Sequence, residues 1–257
     1  MSAYTEISRC RVCGGKTLEP VLSLGVQALT GVFPARKDEA VTAGPVDLVR
    51  CAGSGPEDCG LVQLRQTYDK VEMYGGRYGY RSGLNPSMVR HLRAKVEGLL
   101  KLVALGPGDV VLDVGSNDGT LLGAYPPGVR LVGIDPTAER FRAFYPPGAE
   151  IVPEFFTAAA FDARLGGRKA KVVTSIAMFY DLDAPLEFVR QVRDVLADDG
   201  VWVFEQSHLG TMLEMNSYDT VCHEHLEYYA VRQLRWMLER TGLKVVALEF
   251  NGANGGS

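Results

Sequence analysis

The sequence predicts an α/β protein, with a parallel sheet covered by helices on both faces and a small cysteine-bearing module in front of it. Three observations carry this. From residue 84 onward, short apolar runs alternate with segments of helical period, the pattern of a doubly covered parallel sheet. The first run closes on an acid and a glycine turn, "DVVLDVGSNDG", as a buried strand does when it opens into a ligand-bearing loop. Four of the five cysteines fall within residues 1–65, where regular apolar periods are weak.

The N-terminal module, residues 1–68, begins with Cys10 and Cys13 in "CRVC", followed by Gly14 and Gly15. This C-x2-C form is that of a zinc knuckle, whose glycines let backbone N–H groups turn toward thiolate sulfurs. The second pair, Cys51 and Cys59, has seven residues between its members, a wider excursion than a tight knuckle makes. Four thiolates still complete a tetrahedral zinc site. With Pro20, Pro34 and Pro45 between the pairs, the segment reads as a loop-rich module that needs a staple. Four unrelated thiols are the plain alternative. Such a zinc would be structural, because protein ligands fill all four positions.

Residues 69–83 link this module to the core. "MYGGRYGYRSG" combines Gly75, Gly76 and Gly79 with Tyr74, Tyr78, Tyr80 and Arg81. A bare linker needs no tyrosines, whereas a lid over a ligand can use them.

The core spans residues 84–257. A helix is expected in "NPSMVRHLRAKVEGLLKLVAL", with Pro86 near its start and Met88, Val89, Leu92, Val96, Leu99 and Leu100 at helical period. A strand follows, then a glycine turn and a new helix from Gly119-Thr120. Further strands are expected at "VRLVGID", "AEIVPEF", "KVVTSIAM", "GVWVFEQS" and "LKVVALEF", and helices at "APLEFVRQVRDVLADDG" and "AVRQLRWMLERTG". Ligands of such sheets sit beyond the carboxyl ends of the strands. Gly115 and Gly119 allow close backbone approach, but the turn lacks the G-x-G-x-x-G spacing of a pyrophosphate site. Asp113, two residues before the first glycine, suits the cationic amino-acid end of S-adenosylmethionine (SAM) better than a diphosphate. Asp135, at the tip of the next strand, suits ribose hydroxyls, which SAM and NAD share. A turn without a ligand is the alternative.

"SYDTVCHEHLEYYA", residues 217–230, follows the strand ending in "VFEQS" and so belongs at the ligand edge. Cys222, His223, Glu224 and His225 could bind a metal, but His223 and His225 share a face only in an extended segment. A satisfied polar loop is a further reading. Proton transfer is the stronger one, since histidine titrates near neutrality and an adjacent carboxylate can tune it. Spacing leaves open which histidine would serve.

Bulk properties set the outer limits. A chain of 257 residues, 46% hydrophobic and 23% charged, can bury a full core. Its net charge of −4 argues against a generic nucleic-acid binder. The N-terminus lacks a secretion signal, and no apolar run reaches the roughly 20 residues that span a bilayer. A cytoplasmic protein is expected, with its cysteines as thiols or metal ligands.

"CRVCGG", "LVRC", "CGLVQL", "YGYRSGLNPSM", "VLDVGSNDGTLL", "FEQSHLGTML" and "NSYDTVCHEHLEYY" occur in the order found in bacterial sugar C-methyltransferases, which the chain resembles from Cys10 to its last residues. These SAM-dependent enzymes methylate carbon-3 of nucleotide-linked, typically dTDP-linked, 4-keto-deoxysugars in antibiotic sugar biosynthesis. The resemblance implies a zinc-bearing module, a Rossmann-like class I SAM-binding domain and a third domain that helps form the sugar-nucleotide site. It makes His225 the base, with Glu224 orienting it, and Tyr78, Tyr80, Tyr218 and His223 candidates for holding the sugar or enolate oxygen. Asp113, Gly115, Asn117, Asp118, Asp135, Glu205 and Gln206 would hold the cofactor, and Cys10, Cys13, Cys51 and Cys59 the zinc. The chain departs from the pattern at its end. An antiparallel strand usually closes the sheet after "LKVVALEF", but the sequence ends at "NGANGGS", as a fragment or a natural truncation would. An incomplete sheet with open edges, prone to self-association, is therefore expected. The competing functions are methylation of oxygen or nitrogen on another small molecule, and a non-catalytic zinc- and SAM-binding module. An NAD enzyme ranks last on its glycine spacing.

Overall fold

The computed structural model describes residues 3–53, 58–75, 78–253 and 256; Gly76 of the expected lid, residues 54–57 of the second cysteine loop and residues 254, 255 and 257 of the final "NGANGGS" lie outside them. The chain forms two compact units. The first comprises Met1–Tyr78, Ala177–Arg193 and Glu205–Ser257, and the second Gly79–Ile176 and Asp194–Phe204.

The first unit opens with β1 (Tyr4–Glu6), β2 (Leu18–Ala28), β3 (Ala43–Cys51), β4 (Val62–Leu64), β5 (Gln66–Tyr68) and α1 (Lys70–Tyr74). β1 pairs antiparallel with β5, while β2, β3 and β4 form consecutive antiparallel neighbours. β3 alternates, sending Val46 and Leu48 inward and leaving Asp47 half-buried. β2 is the edge strand, so Pro20 is tolerated there despite its missing N–H. This corrects the expected loop-rich module: much of it is sheet, because the period-two pattern in β3 and the turns between strands pair locally.

In the second unit α2 (Pro86–Leu99) precedes β6 (Val110–Val114), β7 (Arg130–Ile134), α3 (Ala138–Phe141), β8 (Glu150–Val152), α4 (Ala158–Leu165) and β9 (Ala170–Ile176). Asn85 caps α2 by accepting from the Ser87 N–H at 3.0 Å, and Pro86 occupies its first turn, where no N–H is needed. α2 buries Leu92, Val96 and Leu99 against Val111, Leu121, Leu122 and Val172. α5 (Pro185–Val195), nearly all of it in the first unit, leads into β10 (Leu196–Glu205). The sheet order is β10-β9-β6-β7-β8; β6 runs parallel to β7 and β9, and β7 parallel to β8. All five residues of β6 are buried, as a central strand covered on both faces requires.

The chain then returns to the first unit as α6 (Leu209–Met215), β11 (Glu227–Tyr228) and α7 (Val231–Arg240). β11 pairs antiparallel with β4 and completes a four-stranded sheet, β11-β4-β3-β2. The core of this unit joins Leu29, Val46, Leu48, Leu64 and Tyr68 to Met212, Leu226 and Tyr228.

Three expectations are corrected. No α-helix follows Gly119; a single 3-10 turn, Leu122–Ala124, stands there, since Pro126 and Pro127 deny the next turn its N–H donors. "LKVVALEF" forms no strand: it finds no ladder partner among the described residues and leaves Val245, Val246, Leu248 and Phe250 exposed. The helix expected through "LADDG" ends at Val195, and those residues begin β10. No helix of the described residues is long and apolar enough to cross a membrane.

Leu112 is fully buried in β6, so Leu112→Ala is expected to cost about 3 kcal/mol in urea unfolding. Leu248→Ala, at an exposed position, is expected to stay within about 0.5 kcal/mol.

Candidate functional site

In the second unit the turn after β6 is built around buried acids. Asp113 is 3% exposed, and its Oδ1 accepts from the Thr174 hydroxyl at 2.5 Å. Burial pushes its carboxyl up to about 7, with Thr174 opposing that rise and Asp135 adding to it. An acid so placed is readily held ionised by a cation, which is what the amino group of SAM would supply. Gly115 and Gly119 take φ of +72° and +73°, and Asn117 adopts +50°. Asp135 accepts from the Asn117 N–H at 2.9 Å and from both the N–H and hydroxyl of Thr137 at 2.6 and 2.5 Å, which aims its carboxylate across the turn. Gly133 allows the close packing behind it, since a Cβ there would lie 2.7 Å from the Ser116 hydroxyl.

Asn117 and Asp118 turn their side chains to the tyrosine-rich segment. Asn117 accepts from the Ser82 N–H at 2.9 Å and donates to the Tyr80 carbonyl at 3.1 Å, while Asp118 accepts from the Gly83 N–H at 2.9 Å. Arg81 adds an ion pair to Asp118 at 3.4 Å and stacks over Phe144. Tyr80 itself is exposed.

At the end of β10, Glu205 accepts from the Asn251 amide at 2.8 Å, and its carbonyl receives the Ala177 N–H. The buried Gln206 amide has no partner on either its oxygen or its nitrogen among the described residues. A buried amide left open on both atoms suits a polar ligand group.

The acid-rich loop is gathered within the first unit. His225 donates from Nδ1 to the Thr220 carbonyl at 2.7 Å, which leaves Nε2 as the ring's acceptor, and its ring packs on Tyr180 at 4.2 Å. Glu224 lies beside it, its carboxyl raised by burial and pulled back by His225. Gly31, at φ +77°, permits this approach, for a Cβ there would come within 2.7 Å of Glu224 Oε1. Asp181 is pushed well above the carboxylate range by burial, with His225 opposing and Glu224 and Cys222 adding to the rise. The Tyr74 and Tyr180 hydroxyls are likewise raised, chiefly by burial, so they stay protonated donors. Tyr78 joins this group through its ring contact with Tyr74 at 5.6 Å. His223 is fully buried, with Nε2 toward the Gly44 carbonyl at 3.2 Å and Nδ1 receiving the Thr30 N–H at 3.4 Å. Tyr218 is 65% exposed.

Cys10, Cys13, Cys51 and Cys59 bring their sulfurs within 4.8 Å of one another, with Cys10–Cys59 at 3.6 Å and Cys13–Cys51 at 3.5 Å. Zn–S bonds of about 2.3 Å imply sulfur–sulfur edges of roughly 3.8 Å in a tetrahedron, so the cluster fits zinc. Gly14 and Gly60, each just after a cysteine, take φ of +73° and +71° and turn the chain around the site. The thiols cannot all ionise without a cation. Donation from Cys59 lowers Cys10 to about 5, that bond holds Cys59 up, and burial lifts Cys51 to about 11.

Sequence reasoning named Glu224, His225 and Tyr78, which the structure brings into one group, and Asp113, Gly115 and Asp135, which it brings into another. It passed over Asp181 and left Tyr180 without a role. "MFYDLDAP" held the signal, an acid five residues beyond the end of β9, but nothing in its period showed that Asp181 would lie beside His225.

Residues 88–248 match the family described as "Methyltransferase domain", and residues 10–74 the one described as "Putative zinc binding domain". The chain is 31% identical over 256 residues to the C-methyltransferase NovU of Streptomyces niveus, covering 98% of this chain and 59% of NovU. It thus spans about three-fifths of that curated relative. Among solved structures, the complex of the Haloferax volcanii Trm112 methyltransferase activator with a methyltransferase aligns with a TM-score of 0.51 at 17% identity, over 66% of this chain and 75% of that one. That likeness concerns the fold. A methyltransferase from Bacillus halodurans aligns at 0.48, with 18% identity over 62% of this chain and 72% of its own.

Two outcomes follow from this geometry. The purified chain is expected to carry one zinc per molecule by elemental analysis, and Cys59→Ser to lose it. Asp113 gives a pH signature. Between its ordinary value of 3.8 and its folded value of about 7, the unfolded chain has released the proton and the folded chain has not. Stability should therefore fall as pH rises through that window, by up to about 1.4 kcal/mol per unit. Asp113→Asn should flatten the slope in urea titrations at pH 4 to 7; an unchanged slope would show that Asp113 is ionised in the folded chain.

Proposed function

Because the chain belongs to the methyltransferase-domain family, we propose that it transfers a methyl group from SAM to carbon-3 of a nucleotide-linked 4-keto-deoxysugar. The observation that carries this reading is the His225 hydrogen bond to the Thr220 carbonyl, which fixes the tautomer and leaves the Nε2 lone pair open beside the Glu224 and Asp181 carboxyl groups. The likeness to NovU supports a carbon acceptor.

His225 Nε2 removes the proton from the carbon beside the ketone, and the bonding pair moves toward the carbonyl oxygen. Glu224 orients and tunes the imidazole. The Tyr74, Tyr78 and Tyr180 hydroxyls and protonated Asp181 supply donors suited to the developing enolate oxygen. His223 braces the loop through Thr30 and Gly44, and Tyr80 and Tyr218 are left for the outer parts of the sugar nucleotide. Asp113 takes the amino group of the methyl donor, Asp135 its ribose, and Gln206 a polar edge, with the 115–119 turn giving close backbone approach. SAM, when bound, supplies an electrophilic methyl group that the enolate carbon takes as the neutral thioether leaves. The carbonyl re-forms, and His225 returns its proton to solvent.

Mass spectrometry of SAM and a 4-keto-6-deoxysugar nucleotide incubated with the chain in heavy water tests this. Wild type should add one methyl to carbon, and His225→Gln should slow both that gain and deuterium uptake beside the ketone by roughly 10²–10⁴-fold. A methyl found on oxygen or nitrogen, or a His225→Gln rate equal to wild type, would reject the proposal.

A further inference from the structure

The four-cysteine cluster and the loop bearing Glu224 and His225 are joined by a buried polar brace within the first unit. Arg11 sits inside the first cysteine pair, so any ligand that fixes Cys10 and Cys13 fixes Arg11 as well. Its backbone N–H donates to Gln63 Oε1 at 3.1 Å. Its guanidinium donates to the carbonyls of Leu64 and Gln66 at 2.5 and 3.0 Å and to the Thr67 hydroxyl at 2.7 Å. Its Nε then faces Glu227 at 3.8 Å, with the two side chains 3% and 0% exposed. Neither Glu227 oxygen accepts a hydrogen bond among the described residues, so Arg11 is the facing cation that holds it. Glu227 pairs with Gln63 in the β11–β4 ladder, and Leu64 donates to the Leu226 carbonyl at 2.8 Å.

A second arm comes from the other cysteine pair. The Cys59 carbonyl accepts from Gln233 Nε2 at 2.8 Å, and the Asp58 carbonyl from Arg232 at 3.0 Å. Gln233 also accepts the Ala230 N–H at 3.0 Å through its side-chain oxygen, which sets where α7 begins. Residues 226–233 are thus gripped from both cysteine pairs, and His225 is the residue immediately before that grip.

We propose that Arg11, Gln63, Glu227 and Gln233 are positioning residues that transmit metal occupancy of the four-cysteine site to the 220–229 loop, so that zinc sets the placement of Glu224 and His225. Its consequence for turnover rests on His225 being the base; the coupling itself does not. The contact suits this task because both side chains are closed to solvent, so moving one leaves the other a buried polar group that water cannot reach.

Hydrogen exchange read by mass spectrometry tests the coupling on the full chain with zinc bound and after chelation. Removing zinc should raise exchange at 220–229 at least tenfold while 110–116 stays unchanged. Glu227→Gln should raise exchange at 220–229 with one zinc retained, which separates the brace from the metal. Gln233→Ala is the milder variant should Glu227→Gln fail to fold, with the same expected sign. Arg11→Met should shift the His225 ring signal in NMR, and Arg11→Lys should restore it in part. Equal exchange at 220–229 with and without zinc, or zinc-loaded variants indistinguishable from wild type, would overturn the proposal. A coupled loop in a chain that never methylates sugar would leave the brace standing and reject only the reaction.

Discussion

The two-residue pairing of Glu227 and Tyr228 with Gln63 and Val62 is the constraint on which the first unit depends. A loop rich in titratable groups has little apolar surface of its own to hold it still. Leu226 supplies the anchor. Its N–H donates to the Tyr180 carbonyl at 2.7 Å, its carbonyl accepts from Leu64, and its side chain is 2% exposed in the core. On the other side of Glu224, the buried His223 ring ties Thr30 to Gly44 and meets Tyr68 edge-on at 4.7 Å. Gly44 is required there, since a Cβ would overlap the Tyr68 hydroxyl at 2.1 Å. Glu224 and His225 are therefore held from both flanks by buried neighbours.

Three acids show how environment separates roles that residue type cannot. Asp113 has one hydroxyl donor and a carboxyl raised to about 7, so a cation decides its charge. Asp181 is half-buried, with one solvent-shielded oxygen left without a hydrogen bond among the described residues, and desolvation outweighs the pull of His225. Glu227 faces the Arg11 charge in a site closed to solvent, where burial still dominates. The first suits a ligand, the second a proton donor, the third a fixed brace.

The legible parts of the sequence were those set by local pattern. The period of α2, the apolar run of β6 and the C-x2-C pair each announce their structure within a few residues. Asp113 and Asp135 were legible because a strand tip fixes where its last residues go. What stayed hidden depends on distant neighbours. β11 is two residues long and exists through β4, some 160 positions earlier, so no window contains its cause. Asp181 becomes part of the His225 group only when that loop folds over it. "LKVVALEF" has the composition of a strand, yet composition cannot provide a ladder partner, and the segment finds none among the described residues.

Backbone strain at Asn117 and Ala177 is held in place by hydrogen bonds. Asn117 and Ala177 hold φ of +50° and +52°, conformations disfavoured for residues with a Cβ. Such residues persist only where their surroundings over-determine them. Asn117 is locked by its N–H to Asp135, its carbonyl to Tyr145 at 2.9 Å and its amide to the 80–82 segment. Glycine would relieve the strain but lose both amide bonds, and aspartate would keep the acceptor while losing the donor to Tyr80. Asparagine alone among these tolerates the left-handed region and carries both. Ala177 gives its N–H to the Glu205 carbonyl at 2.8 Å, which holds its own turn within the first unit. It stands two positions before Phe179 and four before Asp181, so the strained turn fixes where the 3-10 segment that carries Asp181 begins within the first unit.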